Sequence, residues 1–401
     1  MHLLSNAQPA GERIKRISSV YHERLSVFLS PLLGLLDERL DRRLVHTFSL
    51  LVEAIIRFRH RQHGLLLSEL GAYLLSPDKA PAGTKRISNL LRSGKWHYSL
   101  LADWLRVQAK ARRLVRIRPG FFNPPLQRPV HVPGFHWLGL LLMGLHTKPC
   151  LYLQQWWSTR LGQSSEQAAT LRRRCLKQAV KDFGRRVIHV FDRGYAGAPW
   201  LRELLKHRQH FILRWNKTYA LVDEQGRQLP CWQLVRGKRS LSKRLVKDTP
   251  RRQQRHMGLY YQTVFHPRWP GRKLSLIILR PGKGHAPLYL ITNLPVQHVN
   301  KAWRVVFCYA RRWQVEAAFR YSRSELALES PRLWFWESRL KLMMILSVVY
   351  AFLLQAEELS QLLRQGCHRT GKRYQEALIP LYRVRTALMH IWTQAQSLNS
   401  G

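Results

Sequence analysis

Two acidic residues stand out in this chain because groups that handle phosphate flank them. Asp192 ends a run of strand-forming residues, Val187-Ile-His-Val-Phe-Asp192, and is followed directly by Arg193, Gly194 and Tyr195. Glu316 falls in the spacing Tyr309-x2-Arg312-x3-Glu316-x6-Arg323. At about 100° per residue, one helix carrying those four residues holds them within a stripe roughly 60° wide. A carboxylate in such a stripe can hold a divalent cation while the arginines and the tyrosine hydroxyl hold phosphates. The same spacing also makes Arg312–Glu316 and Glu316–Arg320 plain i,i+4 ion pairs. Asp192 also suits the N-cap of a helix starting near Pro199. Yet an acid at the end of a buried strand stands where open α/β sheets place their ligands, and Gly194 lets the chain turn away from it. Two isolated acids in a strongly basic chain suggest metal-dependent cutting of DNA.

The basic character is extreme. The 401 residues carry 67 Lys and Arg against 23 Asp and Glu, a formal net charge of +44. Such an imbalance self-repels unless a polyanion offsets it, which points to a nucleic-acid partner. With 45% hydrophobic residues the chain can still bury a core. The five cysteines are scattered with no CxxC pair, which argues against a zinc site or a disulfide framework and fits a reducing cytoplasm. The longest apolar run, 342–354, is too short to span a bilayer and predicts a buried helix. Met1 to Ala7 lacks a signal-peptide pattern. The expectation is a cytoplasmic, nucleoid-associated protein with no membrane partner.

The elements that must position these residues are legible in outline. Residues 1–105 carry apolar positions at three- and four-residue steps, which predicts helices. Within them, Leu65–Leu75, a break at Ser76–Gly83 and a basic helix from Thr84 as N-cap to Gly94 form a helix, break, helix pattern. That helix sets Lys85, Arg86, Asn89 and Arg92 where they can enter a DNA groove, or simply makes a solvated basic face. From 106 to 215 the order strand, strand, helix, strand, helix, strand predicts helices on a mixed sheet. Residues 216–300 read as strands with turns, including a hairpin turning at Asp223–Gly226. Residues 301–401 return to helix.

The pair Asp192-Arg193-Gly194-Tyr195 and Tyr309-x2-Arg312-x3-Glu316 resembles the bacterial insertion-sequence DDE transposases with the Y-R-E-K signature, family four and its relatives. The resemblance implies an α/β, ribonuclease H-like catalytic core with a β-rich insertion, preceded by an all-helical DNA-end-binding domain and followed by C-terminal helices. It implies Asp192 and Glu316 as catalytic metal ligands for two Mg²⁺ or Mn²⁺ ions. It implies Tyr309, Arg312 and Arg323 as phosphate grips, with Arg193, Lys85 and Arg86 also on DNA. Arg323 stands where the family has Lys, a charge-preserving but not equivalent ligand. The partners implied are double-stranded DNA, both the terminal inverted repeats and the target, and a second copy of the chain on DNA. Trp232 and Trp269 in the insertion are candidates to stack on an extruded base.

The resemblance also implies a first Asp on the opening strand of the core. Between Trp104 and Lys181 the sole acid is Glu166, at a helix start, and Asp103 lies in a helical pattern. The opening strand and its Asp are therefore expected to be missing from the interval, leaving neighbouring strand edges exposed. DNA binding without strand cleavage follows, and a non-catalytic relative that occupies transposon ends is the alternative to a working transposase. No phosphate-binding GxxxxGK[ST] loop, HExxH or GxSxG is present, so nucleotide hydrolysis, zinc proteolysis and esterase chemistry have no support.

Overall fold

The computed structural model describes residues 10–58, 65–111, 118–122, 135–144, 149–158, 165–248, 253–282, 284–324, 326, 333–356 and 381–397. The chain divides into two compact units, Lys110–Glu316 and Met1–Ala109 with Ala317–Gly401. The C-terminal helices therefore group with the N-terminal ones, while 216–300 shares a unit with the strands before it.

The helical unit holds α1 (Ala10–Asp37), α2 (Arg42–Phe58), α3 (Leu67–Leu74), α4 (Ala80–Arg92), α5 (Ser99–Ala111), α11 (Trp336–Ala356) and α12 (Leu381–Ser397). The apolar run 342–354 is indeed a buried helix: Leu342 to Leu346, Val348 to Tyr350 and Phe352 to Leu354 on α11 are all buried. A helix apolar all round has to be enclosed, and α11 packs against α2, α4 and α12. His22 on α1 sits 3.3 Å from Glu53 on α2 and its ring lies against Trp392 of α12, so three helices meet on one polar pin.

The α3–α4 pair differs from its prediction in one respect. α4 begins at Ala80, so Thr84 is internal and is not a cap. Its Oγ1 donates to Ala80 O (2.8 Å) and Leu67 O (3.1 Å), tying the two helices together. Gly71 and Gly83 allow this close crossing. A methyl added at Gly83 would fall on the Gly71 carbonyl, and one at Gly71 on the Thr84 amide. Both collisions are with backbone, which does not yield like a flexible side chain. Gly83→Ala is expected to cost about 1–3 kcal/mol and to lower Tm by roughly 2–4 °C per kcal/mol in a unit of this size. A thermal scan showing no loss would refute the tight crossing.

The second unit is one eleven-stranded sheet. Its strands are β1 (Arg118–Phe122), β2 (Phe135–Met143), β3 (Cys150–Ser158), β4 (Ile188–Phe191), β5 (His210–Arg214), β6 (Ala220–Val222), β7 (Gln228–Pro230), β8 (Ser242–Asp248), β9 (Gln253–His266), β10 (Trp269–Arg280) and β11 (Leu288–Thr292). They run in the order β3-β2-β1-β4-β5-β11-β10-β9-β6-β7, with β8 on β9. β1, β4 and β5 are parallel neighbours and the other pairs are antiparallel. Parallel central strands are covered on both faces, which is why even His189 in β4 is fully buried, held by Gln209 at 3.3 Å. Burial pulls its pKa down to about 4.

The expectation of a missing opening strand is corrected here. Residues 118–122 form β1, between β2 and β4, so those two edges are paired. The interval's run of Arg and Pro hid this strand, because β-propensity reads poorly in such a sequence; neighbours on both sides supply the ladder.

The unit's helices are α6 (Ser165–Phe183), α7 (Ala198–Lys206), α8 (Cys231–Leu234) and α9 (Val299–Ala310), and α10 (Trp313–Ser324) runs across its C-terminal boundary. α9 carries Ala302, Trp303, Val305, Val306 and Tyr309 at helical spacing, and these pack on Val190, Ile212, Ile277 and Leu290 of the sheet. Burying that face lays the end of α9 beside the end of β4.

Candidate active site

Asp192 follows the last residue of β4 in extended backbone (φ −81°, ψ 172°) and is buried. The chain then makes a 3₁₀ turn over Arg193–Tyr195, closed by Tyr195 N donating to Asp192 O at 3.0 Å. The Asp192 carboxylate makes no cap to this turn, and Gly197 is the N-cap of α7, so the capping alternative fails. Gly194 has no left-handed φ; the left-handed glycine is Gly197, at φ 135°. The sharp exit from the strand thus lies three residues later than its prediction.

The carboxylate turns instead to three groups. Tyr309 Oη donates to Oδ1 at 3.2 Å, Arg214 Nη1 lies 3.6 Å from Oδ1, and Arg312 Nη1 lies 3.9 Å from Oδ2. Arg312 also reaches Glu316 Oε1 through Nη2 at 2.7 Å. One guanidinium therefore lies between the two predicted catalytic acids. Its side chain is 5% exposed, so Arg312–Glu316 is far from the solvated i,i+4 pair that spacing alone allows.

The single helix predicted for Tyr309 through Arg323 is corrected. α9 stops at Ala310 and α10 starts at Trp313, with Arg311 and Arg312 as the turn. Arg312 N donates to Tyr309 O (2.9 Å), and Val315 N to Arg312 O (2.9 Å), both at the three-residue step of a 3₁₀ link. Arg311 fastens that link by donating from Nη2 to Gly144 O at 3.1 Å, just past β2. Tyr309 and Arg312 still reach Asp192, and Glu316 joins them through Arg312, by way of the turn and not of a stripe.

The electrostatics follow from burial. Burial pushes the Tyr309 hydroxyl up to about 12, so it stays protonated and donates to Asp192. Burial works against the Arg312 charge, but Tyr309, Asp192 and Glu316 together raise its pKa above the ordinary guanidinium value. Two carboxylates and two arginines make the cluster neutral overall.

Of the other predicted residues, Arg193 is exposed beside the cluster, and Lys85 and Arg86 lie exposed on α4. Arg323 lies on α10 with its side chain outside the described residues. Trp232 is 37% exposed on α8, and Trp269 is half-buried with its ring 4.6 Å from that of His266. Sequence reasoning missed Arg214. Its signal was the pairing of two strand ends: β4 and β5 run parallel with Phe191 opposite Leu213, which sets Arg214 beside Asp192.

β1 lies parallel to β4 with Phe121 opposite Phe191, the last residue before Asp192. None of the five residues of β1, Arg118 to Phe122, is acidic, so the strand beside β4 brings no second carboxylate to Asp192. Asp103 is exposed on α5 and paired with Arg106 at 3.4 Å. Among the described residues no group of three or more His, Cys, Asp or Glu side chains could hold a metal ion. The donor set does not fit a two-ion centre, which needs a bridging carboxylate and open positions, while here Arg214 and Arg312 already offset the two acids.

No curated protein matches the chain. Among solved structures, a piggyBac transposase synaptic complex with hairpin DNA, determined by cryo-EM, is similar at 12% identity and a TM-score of 0.47, over 90% of this chain and 73% of that one. Residues 155–352, a span that includes Asp192, Arg214, Tyr309, Arg312 and Glu316, match the family model of the transposase DDE domain.

Proposed function

We propose that this chain is a transposase-derived protein that binds the ends of a bacterial insertion sequence without cutting them. The order β3-β2-β1-β4-β5 with Asp192 at the end of β4 supports a ribonuclease H-like core. The observation that carries the reading is the Arg312 guanidinium between Asp192 and Glu316, beside a strand β1 that contains no acid. DDE transposases generally use divalent metal ions, and Mg²⁺ or Mn²⁺ would be the ion; this site keeps two of the three acids such chemistry employs. The charge of +44 supplies the phosphate affinity. Lys85 and Arg86 on α4, with Arg193 and Arg323, are the grips assigned here, and two copies pairing two ends belong to the same reading. Among the described residues no helix is long and apolar enough to cross a membrane.

The test is fluorescence anisotropy on a duplex made from the element's end and on a scrambled duplex, with Mg²⁺ and with EDTA. Both duplexes are expected to bind more weakly as salt rises and screens the common phosphate term, with the end duplex keeping the tighter Kd throughout and that Kd unchanged by EDTA within about twofold. Equal affinity for both duplexes, or binding abolished by EDTA, would refute the proposal.

A further inference from the structure

The helical unit carries an aromatic pair that no part of the carboxylate cluster uses. Trp334 is 96% exposed and Phe335 58% exposed, immediately before α11. A tryptophan is normally among the more buried residues on average, and a large ring left wholly in water marks an interaction site. Behind the pair is a cleft of about 160 Å³ lined by Leu67, Leu91, Arg92, Leu333, Trp334 and Phe335. A cavity of ~150 Å³ accepts a benzene ring, so the cleft suits one flat aromatic group.

The surroundings say what kind of ring. Arg92 stacks its guanidinium over Phe335 at 5.3 Å. It is the last residue of α4, whose exposed positions include Lys85, Arg86, Asn89 and Arg92, one side of that helix at three- and four-residue steps. The basic side of α4 thus leads directly to the aromatic pair. Glu337, the nearest acid in sequence, is 3.4 Å from His97. A cationic track ending in an exposed tryptophan is how single-stranded nucleic acid is held: the backbone follows the charge and a base stacks on the ring. A second copy of the chain is a poor occupant, because each copy carries +44.

We infer that Trp334 and Phe335 form a stacking platform for an unpaired DNA base, fed by a strand whose phosphates run along Lys85, Arg86 and Arg92 of α4. This rests on the DNA-binding reading above and adds that the chain prefers frayed or single-stranded DNA at this surface. The exposed position of Trp334 lets it be replaced without opening the core.

The experiment uses the full chain and three fluorescein-labelled probes: oligothymidylate, a blunt duplex, and the same duplex with a mismatched, frayed end. Trp334→Ala is expected to weaken oligothymidylate and frayed-duplex binding by about tenfold to a hundredfold. Blunt-duplex binding should stay within about twofold, since phosphate contacts are untouched. Trp334→Phe, which keeps a ring, should recover most of the loss, and Arg92→Gln should weaken every probe modestly. Equal effects of Trp334→Ala on all probes, or none, overturn the platform while leaving end binding intact. If sedimentation shows that wild type is a dimer without DNA and Trp334→Ala is a monomer, the surface belongs to a second copy and the inference is wrong. Failure of wild type to bind any probe would overturn the proposed function as well.

Discussion

Supercoiled plasmid carrying the element's ends is expected to remain supercoiled when incubated with this protein and Mg²⁺ or Mn²⁺. Charge decides this outcome. A two-ion centre needs carboxylates to outweigh the ions' mutual repulsion and to bridge them. Here Asp192 faces Tyr309, Arg214 and Arg312, and Glu316 faces Arg312. A cation entering would have to displace a guanidinium that is 5% exposed and bonded to Glu316 at 2.7 Å. The neighbouring strand β1, Arg118–Phe122, offers no acid. Loss of one member of a catalytic group acting as a unit costs on the order of 10⁴-fold or more, so nicking should fall below detection. Asp192→Ala and Glu316→Gln should then change nothing in this assay. Robust nicking that Asp192→Ala abolishes would reverse the conclusion.

Arg312→Ala should strongly destabilise the sheet unit. It leaves Asp192, with 12% of its side chain exposed, and Glu316, with 23%, short of the cation that offsets them. Breaking a buried pair from one side costs about 3–5 kcal/mol, because the remaining charge stays desolvated. With roughly 2–4 °C per kcal/mol for a unit of this size, Tm should fall by about 6–20 °C. Arg312→Met combined with Asp192→Asn and Glu316→Gln should recover much of that loss, since neutral groups tolerate the site better than orphan charges. A single variant that melts within about 1 °C of wild type would show that the guanidinium contributes no net stability.

Much of the molecule was legible from local pattern. Helical periodicity located α2, α9 and the buried α11, and the alternation and apolar runs located β2 through β5 and β9 through β11. These elements are dictated by short-range spacing, so the chain announces them. Asp192 was found because a strand ending in an acid is unusual, and Arg312–Glu316 because their separation is one helical turn. Three things were illegible for physical reasons. β1 is a strand only because β2 and β4 offer it hydrogen bonds. The break at Arg311–Arg312 is held partly by Gly144, which lies far away in sequence. Arg214 joins the cluster through the parallel register of two strands, and register is a property of the pair.

By itself, then, the amino-acid sequence determined that this is a basic α/β protein with two acids placed among phosphate-binding groups, because charge, composition and spacing are local quantities. Only the tertiary structure decided what those acids do. It closed Asp192 and Glu316 on Arg312, set Arg214 beside Asp192, and exposed Trp334 at the end of the basic side of α4. Those outcomes depend on which distant side chains share one desolvated space, where unpaired charge is costly enough to select a partner from another element.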